Sequence, residues 1–495
     1  MKCEIDLTAI TNKKIHNVWN FGFNTCHAAL WLREDLPAQA DRIKELGFRY
    51  VRFHNTISGY TGIYSEDSEG NPVYSFDKLD RIMDRVLAAG YYPFWEISYC
   101  PELLAPKKQK FLYYECYNVE PVDFKRWDEL IREIVRHFLQ RYGLECVKEW
   151  YFEVWNEPDI AYGDKTPETY FRLYDHTVLA VKSVCSQLRV GGPATSKCLW
   201  IEEFVRHVEQ GSEISGYQKI PCDFISTHCY PSDLAFLPSA VGEVNLQNSN
   251  IMYEMFAAAK KVIEKSSLKG LPLIMGEWNS SAGPLAMNHD EKNNGAFIVK
   301  IFDELQDVID GSLYWDMSDI YEEAGFHYTP FHGGYGLMTV NDIPKSSYNA
   351  FALLNEVKGS QIYPRYEERK NGVGVLAAVN DETKCLNILL YYYVEPDEDC
   401  PQACDVEIIL KGLEKACVSS KTTAVTDESG SAYEWWIKMG KPDFLNLEKL
   451  EFLMKKSRME QNRQVRFREK DRNEYRIHEL LQPSDVKLIQ IYPGI

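Results

Sequence analysis

The sequence predicts an α/β protein: a (β/α)8 barrel followed by a C-terminal β-sandwich accessory domain. Three observations carry that reading. Between residues 15 and 355, short β-like runs alternate with amphipathic helical runs. After residue 355 the helical period gives way to apolar–polar alternation broken by turns. The length of 495 residues suits a barrel of about 250–350 residues with a second unit beside it.

The elements follow in order. Strands are expected at 18–24, 49–54, 92–98, 150–156, 189–193, 224–228, 273–278 and 312–316. Helices are expected between them at 37–46, 77–89, 124–142, 167–187, 200–209, 251–265 and 294–306. Pro37 and Pro167 fall where a first helical turn has no use for an N–H. Eight strands in strict alternation favour a closed parallel barrel over an open sheet. No glycine-rich dinucleotide or phosphate loop follows a strand, which counts against nucleotide chemistry. Beyond the barrel, strands are expected at 374–380, 386–394, 406–410, 422–426 and 486–492, with one helical excursion at 447–456. The domain expectation is 15–355 for the barrel and 356–495 for the sandwich.

Composition narrows the function. The net charge of −18 and pI of about 5.2 argue against a nucleic-acid partner, which needs a clustered basic surface. The basic run Lys455-Lys456-Ser457-Arg458 reads as a solvated helix face. No run of 18 apolar residues is present, so no membrane span is expected. The N-terminus lacks the apolar core of a secretion signal. The 13 cysteines show no zinc-type pairing, and reduced thiols in a cytoplasmic protein are the simplest account. Aromatic residues make up 13%; they suit a sugar site, though large barrels bury many aromatics for packing alone.

The active face of a parallel barrel lies at the C-terminal strand ends. The fourth expected strand ends Trp155-Asn156-Glu157-Pro158, and the seventh ends Gly276-Glu277-Trp278-Asn279. A lone Glu at a strand end is more often a paired or solvated charge than a catalyst. Two of them across one mouth form the pair that glycosidic hydrolysis requires: one protonates the departing oxygen, the other attacks carbon or activates water. Asn156 offers a donor and an acceptor to a sugar hydroxyl, or else serves as a turn residue. Tyr230, two residues past His228 at the end of strand six, is placed to donate to Glu277. Arg52 and His54 alternate on strand two and face one side, where Arg52 favours an ionised Glu277 and His54 meets a glycone hydroxyl. Trp315 is a candidate floor for the ring. Glu322 and Glu323 follow on the next loop. Each of these has a plain packing or surface role as its alternative.

Taken in order, these stretches resemble the family 39 glycoside hydrolases, and the bacterial β-xylosidase branch in particular. The resemblance rests on Arg49-Tyr50-Val51-Arg52-Phe53-His54, Phe152-Glu153-Val154-Trp155-Asn156-Glu157-Pro158, Val190-Gly191-Gly192-Pro193-Ala194-Thr195 and Ser226-Thr227-His228. It extends through Glu277-Trp278-Asn279-Ser280-Ser281, Ser318-Asp319-Ile320-Tyr321-Glu322-Glu323 and Pro330-Phe331-His332-Gly333-Gly334-Tyr335-Gly336-Leu337. It implies a retaining exo-glycosidase with Glu157 as acid/base and Glu277 as nucleophile. Arg52, His54, Asn156, His228, Tyr230, Trp315, Glu322 and Glu323 would shape the glycone site. It implies no metal or organic cofactor, an oligosaccharide or small glycoside as substrate, and an N-terminal segment (1–14) joined to the sandwich. A homo-oligomer is compatible with it. The loop at 55–62 and the loop at 282–294 depart from the β-xylosidase pattern, which leaves the sugar open. The alternatives are an iduronidase-like or other family 39 glycosidase, and a weakly catalytic glycan-binding protein on the same fold.

Overall fold

The computed structural model describes residues 1–57, 59–106, 117–232, 245–323, 325–469 and 474–492; Ser58, in the divergent loop at 55–62, lies outside them. Eight parallel strands close into a barrel: Gly22–His27, Tyr50–His54, Tyr92–Ile97, Tyr151–Val154, Arg189–Thr195, Phe224–His228, Leu273–Trp278 and Gly311–Tyr314. The eighth returns to the first, with Leu313 opposite Gly22. The predicted (β/α)8 class is therefore the observed one. The first strand begins later than its sequence pattern suggests, because Val18–Asn20 forms a single 3-10 turn that buries Val18 and Trp19.

The interior of the barrel is layered by the two-residue period of its strands. Tyr50, Phe94, Tyr151, Phe224, Ile274 and Leu313 form one apolar cluster. The Phe94 and Tyr151 rings stack there with centroids 5.0 Å apart. This cluster plugs the N-terminal end of the barrel. Two residues further along the same strands come Arg52, Glu96, Glu153, Ser226 and Gly276, and two further still His54, Ser98 and His228. Polar chemistry therefore occupies the C-terminal half, above a dry stopper.

The helices outside show matching amphipathic spacing. Asp77–Ala88 buries Leu79, Ile82, Met83 and Val86, a stripe at i, i+3, i+4 and i+7. Each such side chain contributes roughly 1.5–3 kcal/mol on burial. Phe124–Tyr142 is capped by Asp123, whose carboxylate accepts from the Lys125 and Arg126 N–H groups. Pro167–Val184 begins with its proline in the first turn and Thr166 as cap.

The remaining chain forms two packed sheets. The larger runs Ser360–Ile362, Val373–Val379, Leu386–Tyr392, Val486–Tyr492, Cys417–Val425, Glu460–Phe467, antiparallel throughout. The smaller runs Arg365–Glu368, Lys2–Asp6, Cys404–Lys411, Tyr475–Leu481. Lys2–Asp6 lies parallel to Cys404–Lys411, with Cys3 opposite Ile408. One face of the large sheet joins the barrel core through Leu376, Leu389, Tyr391 and Leu488. Polar clamps reinforce that junction: Lys292 reaches Asp485 at 3.0 Å, and the Tyr391 hydroxyl donates to Asp303 at 2.8 Å. Among the described residues no helix is long and apolar enough to cross a membrane.

Candidate active site

Arg52 is the organising side chain. It is wholly buried and has five polar partners. Nε meets Glu153 at 2.5 Å. Nη1 meets Asn24 at 3.2 Å and Glu277 at 2.7 Å. Nη2 meets Asn156 at 2.9 Å and Glu96 at 2.8 Å. Four of these contacts are hydrogen bonds, and the approach of Nη2 to Glu96 is an ion pair. Burial opposes the charge, but Glu153, Glu96 and Glu277 outweigh it and hold Arg52 above its usual range. Such a cation is tolerated in the interior because its partners surround it on every side.

Glu277 ends the seventh strand and is 5% exposed. Its Oε1 takes the Arg52 bond and lies 3.4 Å from His54 Nε2. Its Oε2 accepts from the Tyr230 hydroxyl at 3.2 Å.

Glu157 has the opposite surroundings. It follows the fourth strand in a left-handed conformation, with φ at 41°, and caps the short helix Pro158–Ala161. Its N–H donates to the Ala194 carbonyl at 2.9 Å, which fixes the turn against the fifth strand. Its Oε1 lies 3.0 Å from His228 Nδ1. Burial first, then the neighbouring Asp159 charge, push its carboxyl up to about 8. Burial also lowers His228 to about 4 and His54 to about 3, so both imidazoles are neutral near pH 7. A neutral His228 presents one lone pair and one N–H. Oxygen atoms of Glu157 and Glu277 and a ring nitrogen of His228 all lie within 4.8 Å of one another. The two carboxyls thus differ in their partners: Glu157 meets a neutral imidazole, whereas Glu277 meets Arg52 and the Tyr230 hydroxyl.

Gly276 makes this packing possible. A Cβ there would come within 3.0 Å of His228 Nε2 and 3.1 Å of its Cδ2. Trp315 follows the eighth strand; its ring centroid is 4.9 Å from that of His54. Asn279 fastens the loop by donating to the Trp315 and Tyr335 carbonyls at 2.5 and 3.2 Å.

Of the sequence candidates, Arg52, His54, Asn156, Glu157, His228, Tyr230 and Glu277 are joined by direct contacts, and Trp315 flanks them through His54. Glu323 is half-buried. Burial, then the Glu277 charge, raise it to about 8. Glu322 stands one step aside: it is fully buried, with Oε1 at 3.4 Å from both Cys26 Sγ and His27 Nε2. Glu96, Glu153 and Asn24 went unassigned in the sequence. Glu96 also binds His54 Nδ1 at 2.5 Å and accepts from Ser98. The signal for them was their strand phase: each sits an even number of residues from an inward-facing group.

Paired buried carboxyls at the C-terminal mouth of a (β/α)8 barrel define the protein as a barrel glycoside hydrolase. The profile of the glycosyl hydrolases family 39 matches residues 1–474. The chain belongs to that family. It is 35% identical over 454 residues to a β-xylosidase of Caldicellulosiruptor saccharolyticus, covering 91% of this chain and 90% of that one. The crystal structure of a monomeric β-xylosidase from Caulobacter crescentus CB15 superposes with a TM-score of 0.88 at 30% identity, covering 100% of both chains. Similarity to human α-L-iduronidase is partial: 26% identity over 210 residues, 40% of this chain and 30% of that one.

Proposed function

We propose that the protein is a retaining exo-β-xylosidase in which Glu157 is the acid/base and Glu277 the nucleophile. The observation that carries this reading is that one oxygen of Glu157 and one of Glu277 lie within 4.8 Å of each other. Inverting enzymes hold them about 6.5–9.5 Å apart to admit a water, whereas retaining enzymes hold them at about 5–5.5 Å. In the first step a Glu277 oxygen bonds to the anomeric carbon as the glycosidic bond breaks, and Glu157 gives its proton to the departing oxygen. In the second, Glu157 takes a proton from water, the hydroxide oxygen bonds to the same carbon, and Glu277 leaves. His228 accepts from protonated Glu157, while Arg52 and Tyr230 hold Glu277. His54, Asn156, Trp315, Glu322 and Glu323 shape the glycone site.

Xylose as the sugar is supported by the two β-xylosidase relatives and by the commitments of Arg52. A uronate would need a cation for its carboxylate, and Arg52 is wholly buried and already paired with Glu96, Glu153 and Glu277. Near-complete burial of both carboxyls favours a pocket that takes a chain end. The division into a barrel at 15–355 and a sandwich at 356–495, with 1–14 added to the sandwich, fits the sheet pairing of Lys2–Asp6. Twelve described cysteines are unpaired, which supports a reducing cytoplasmic compartment.

The test is covalent trapping. A 2-deoxy-2-fluoro-xylosyl fluoride slows both oxocarbenium-like steps while its good leaving group lets the first proceed, so the glycosyl-enzyme accumulates. Peptide mapping should find the label on Glu277. A label on any other residue would refute the assignment.

A further inference from the structure

We propose that Cys26, His27 and Glu322 form a binding site for a zinc ion beside the sugar site. No step of the hydrolytic reaction uses these three groups as a set. Cys26 and His27 end the first strand, and Glu322 lies on the segment after the eighth, so closure of the barrel brings them together.

The local backbone is built for it. Consecutive strand residues face opposite sides, yet Cys26 and His27 both meet the same carboxylate. The reason is a break in the strand: Cys26 adopts a left-handed φ of 48°, and the pairing register slips between Asn24 and His27. Such a bulge re-aims a side chain at the rim of a barrel. A non-glycine residue held at positive φ marks a position the surroundings enforce.

The geometry fits the ion. A tetrahedral zinc with bonds of about 2.0–2.3 Å sets its ligand atoms roughly 3.4–3.6 Å apart. Here Cys26 Sγ and His27 Nε2 each lie 3.4 Å from Glu322 Oε1. One ligand atom from each residue falls within 4.8 Å of the others. All three side chains are buried, with Cys26 at 0%, His27 at 1% and Glu322 at 0% exposure. Glu322 Oε2 is buried and has no hydrogen-bond partner among the described residues, which leaves lone pairs unused there.

Sulfur, imidazole and carboxylate together are a zinc donor set, with a water completing the shell. Thiolate and carboxylate are the forms that ligate, so binding releases to solvent the protons these groups carry. The Zn–S and Zn–O bonds replace S–H and O–H, the neutral His27 gives its lone pair, and the site ends uncharged. Its effect on catalysis rests on the reading of Glu322 as a glycone residue: zinc would draw that carboxylate away and inhibit hydrolysis.

The probe is cobalt(II) in place of zinc, titrated into the full chain. One equivalent should give a thiolate-to-cobalt charge-transfer band with tetrahedral visible absorption, and zinc should abolish both. Cys26→Ser should lose the band while keeping hydrolysis, and lose the chelator-reversible zinc inhibition of the wild type. Glu322→Gln should weaken cobalt binding. No thiolate band in the wild type, or one that survives Cys26→Ser, would overturn the proposal. So would cobalt bound without thiolate character. A chain that shows the cobalt signature but cleaves no xyloside would defeat the xylosidase reading and leave the metal site standing.

Discussion

Replacing Glu157 by alanine would separate the two duties proposed for it. Burial and Asp159 push its carboxyl up to about 8, so most of the wild type carries the acidic proton at pH 6.5 and little of it does at pH 9.5. In the wild type, kcat/KM should fall about tenfold per pH unit above that value, because the first step needs the proton. Glu157→Ala should abolish this basic limb. A positioned general acid supplies typically 10²–10⁴-fold, or about 3–5 kcal/mol. That full loss is expected on alkyl xylosides and natural disaccharides, whose leaving groups need the proton. An activated dinitrophenyl xyloside leaves without it, so its glycosylation step should be nearly unchanged. Its turnover then stalls at the glycosyl-enzyme, since no base remains to activate water. Azide needs no base and should restore turnover, giving xylosyl azide of retained configuration. The assay is steady-state kinetics over a leaving-group series with and without azide. Equal losses on every leaving group, no azide product and a surviving limb near pH 8 would together refute the acid/base role.

Two further outcomes follow from the same groups. Tyr230→Phe removes the 3.2 Å bond to Glu277 Oε2; a hydrogen bond to a charged group is worth about 1.5–3 kcal/mol, so kcat/KM should drop roughly 10–100-fold, and a rate within twofold of wild type would contradict the contact. Stability should fall as pH rises from 5 to about 8, because Glu157 keeps its proton in the folded chain up to about 8 while the unfolded chain loses it near 4.3, a slope of about −1.4 kcal/mol per pH unit for this group. Denaturant titrations of Glu157→Gln should show that slope reduced by one proton; an unchanged slope would contradict the buried protonated carboxyl.

What the sequence made legible was decided by local pattern. The fourth and seventh strands read clearly because an apolar run stops at a carboxylate with a turn beyond it, so Glu157 and Glu277 could be placed before any contact was known. Arg52 and His54 were equally readable from their two-residue spacing. Glu96 and Glu153 share that phase, but each sits inside a run that reads as core, and only closure of the ring brings them onto Arg52. Glu460–Phe467 was invisible as a strand because nearly all of its residues are exposed, which leaves no alternation to detect. Ser346–Glu356 went unassigned for the converse reason: it is buried on most sides and shows little of the one-sided stripe that marks a surface helix.

Cys26 and His27 show the limit more sharply. Strand periodicity sends them to opposite faces, and it is the bulge that turns both toward Glu322. The same kind of departure recurs at Glu157, whose left-handed backbone breaks the phase of the fourth strand. Both departures lie at the C-terminal strand ends, above the regular layers of Tyr50, Phe94 and Tyr151. That placement has a mechanical cause. The lower layers are fixed by apolar packing that tolerates no change of phase. The mouth is held instead by polar bonds from Arg52, Asn24 and Asn279, which fasten side chains and carbonyls without requiring strand phase. Chemistry can be re-aimed there without unseating the core, and it is there that sequence periodicity loses its hold on direction.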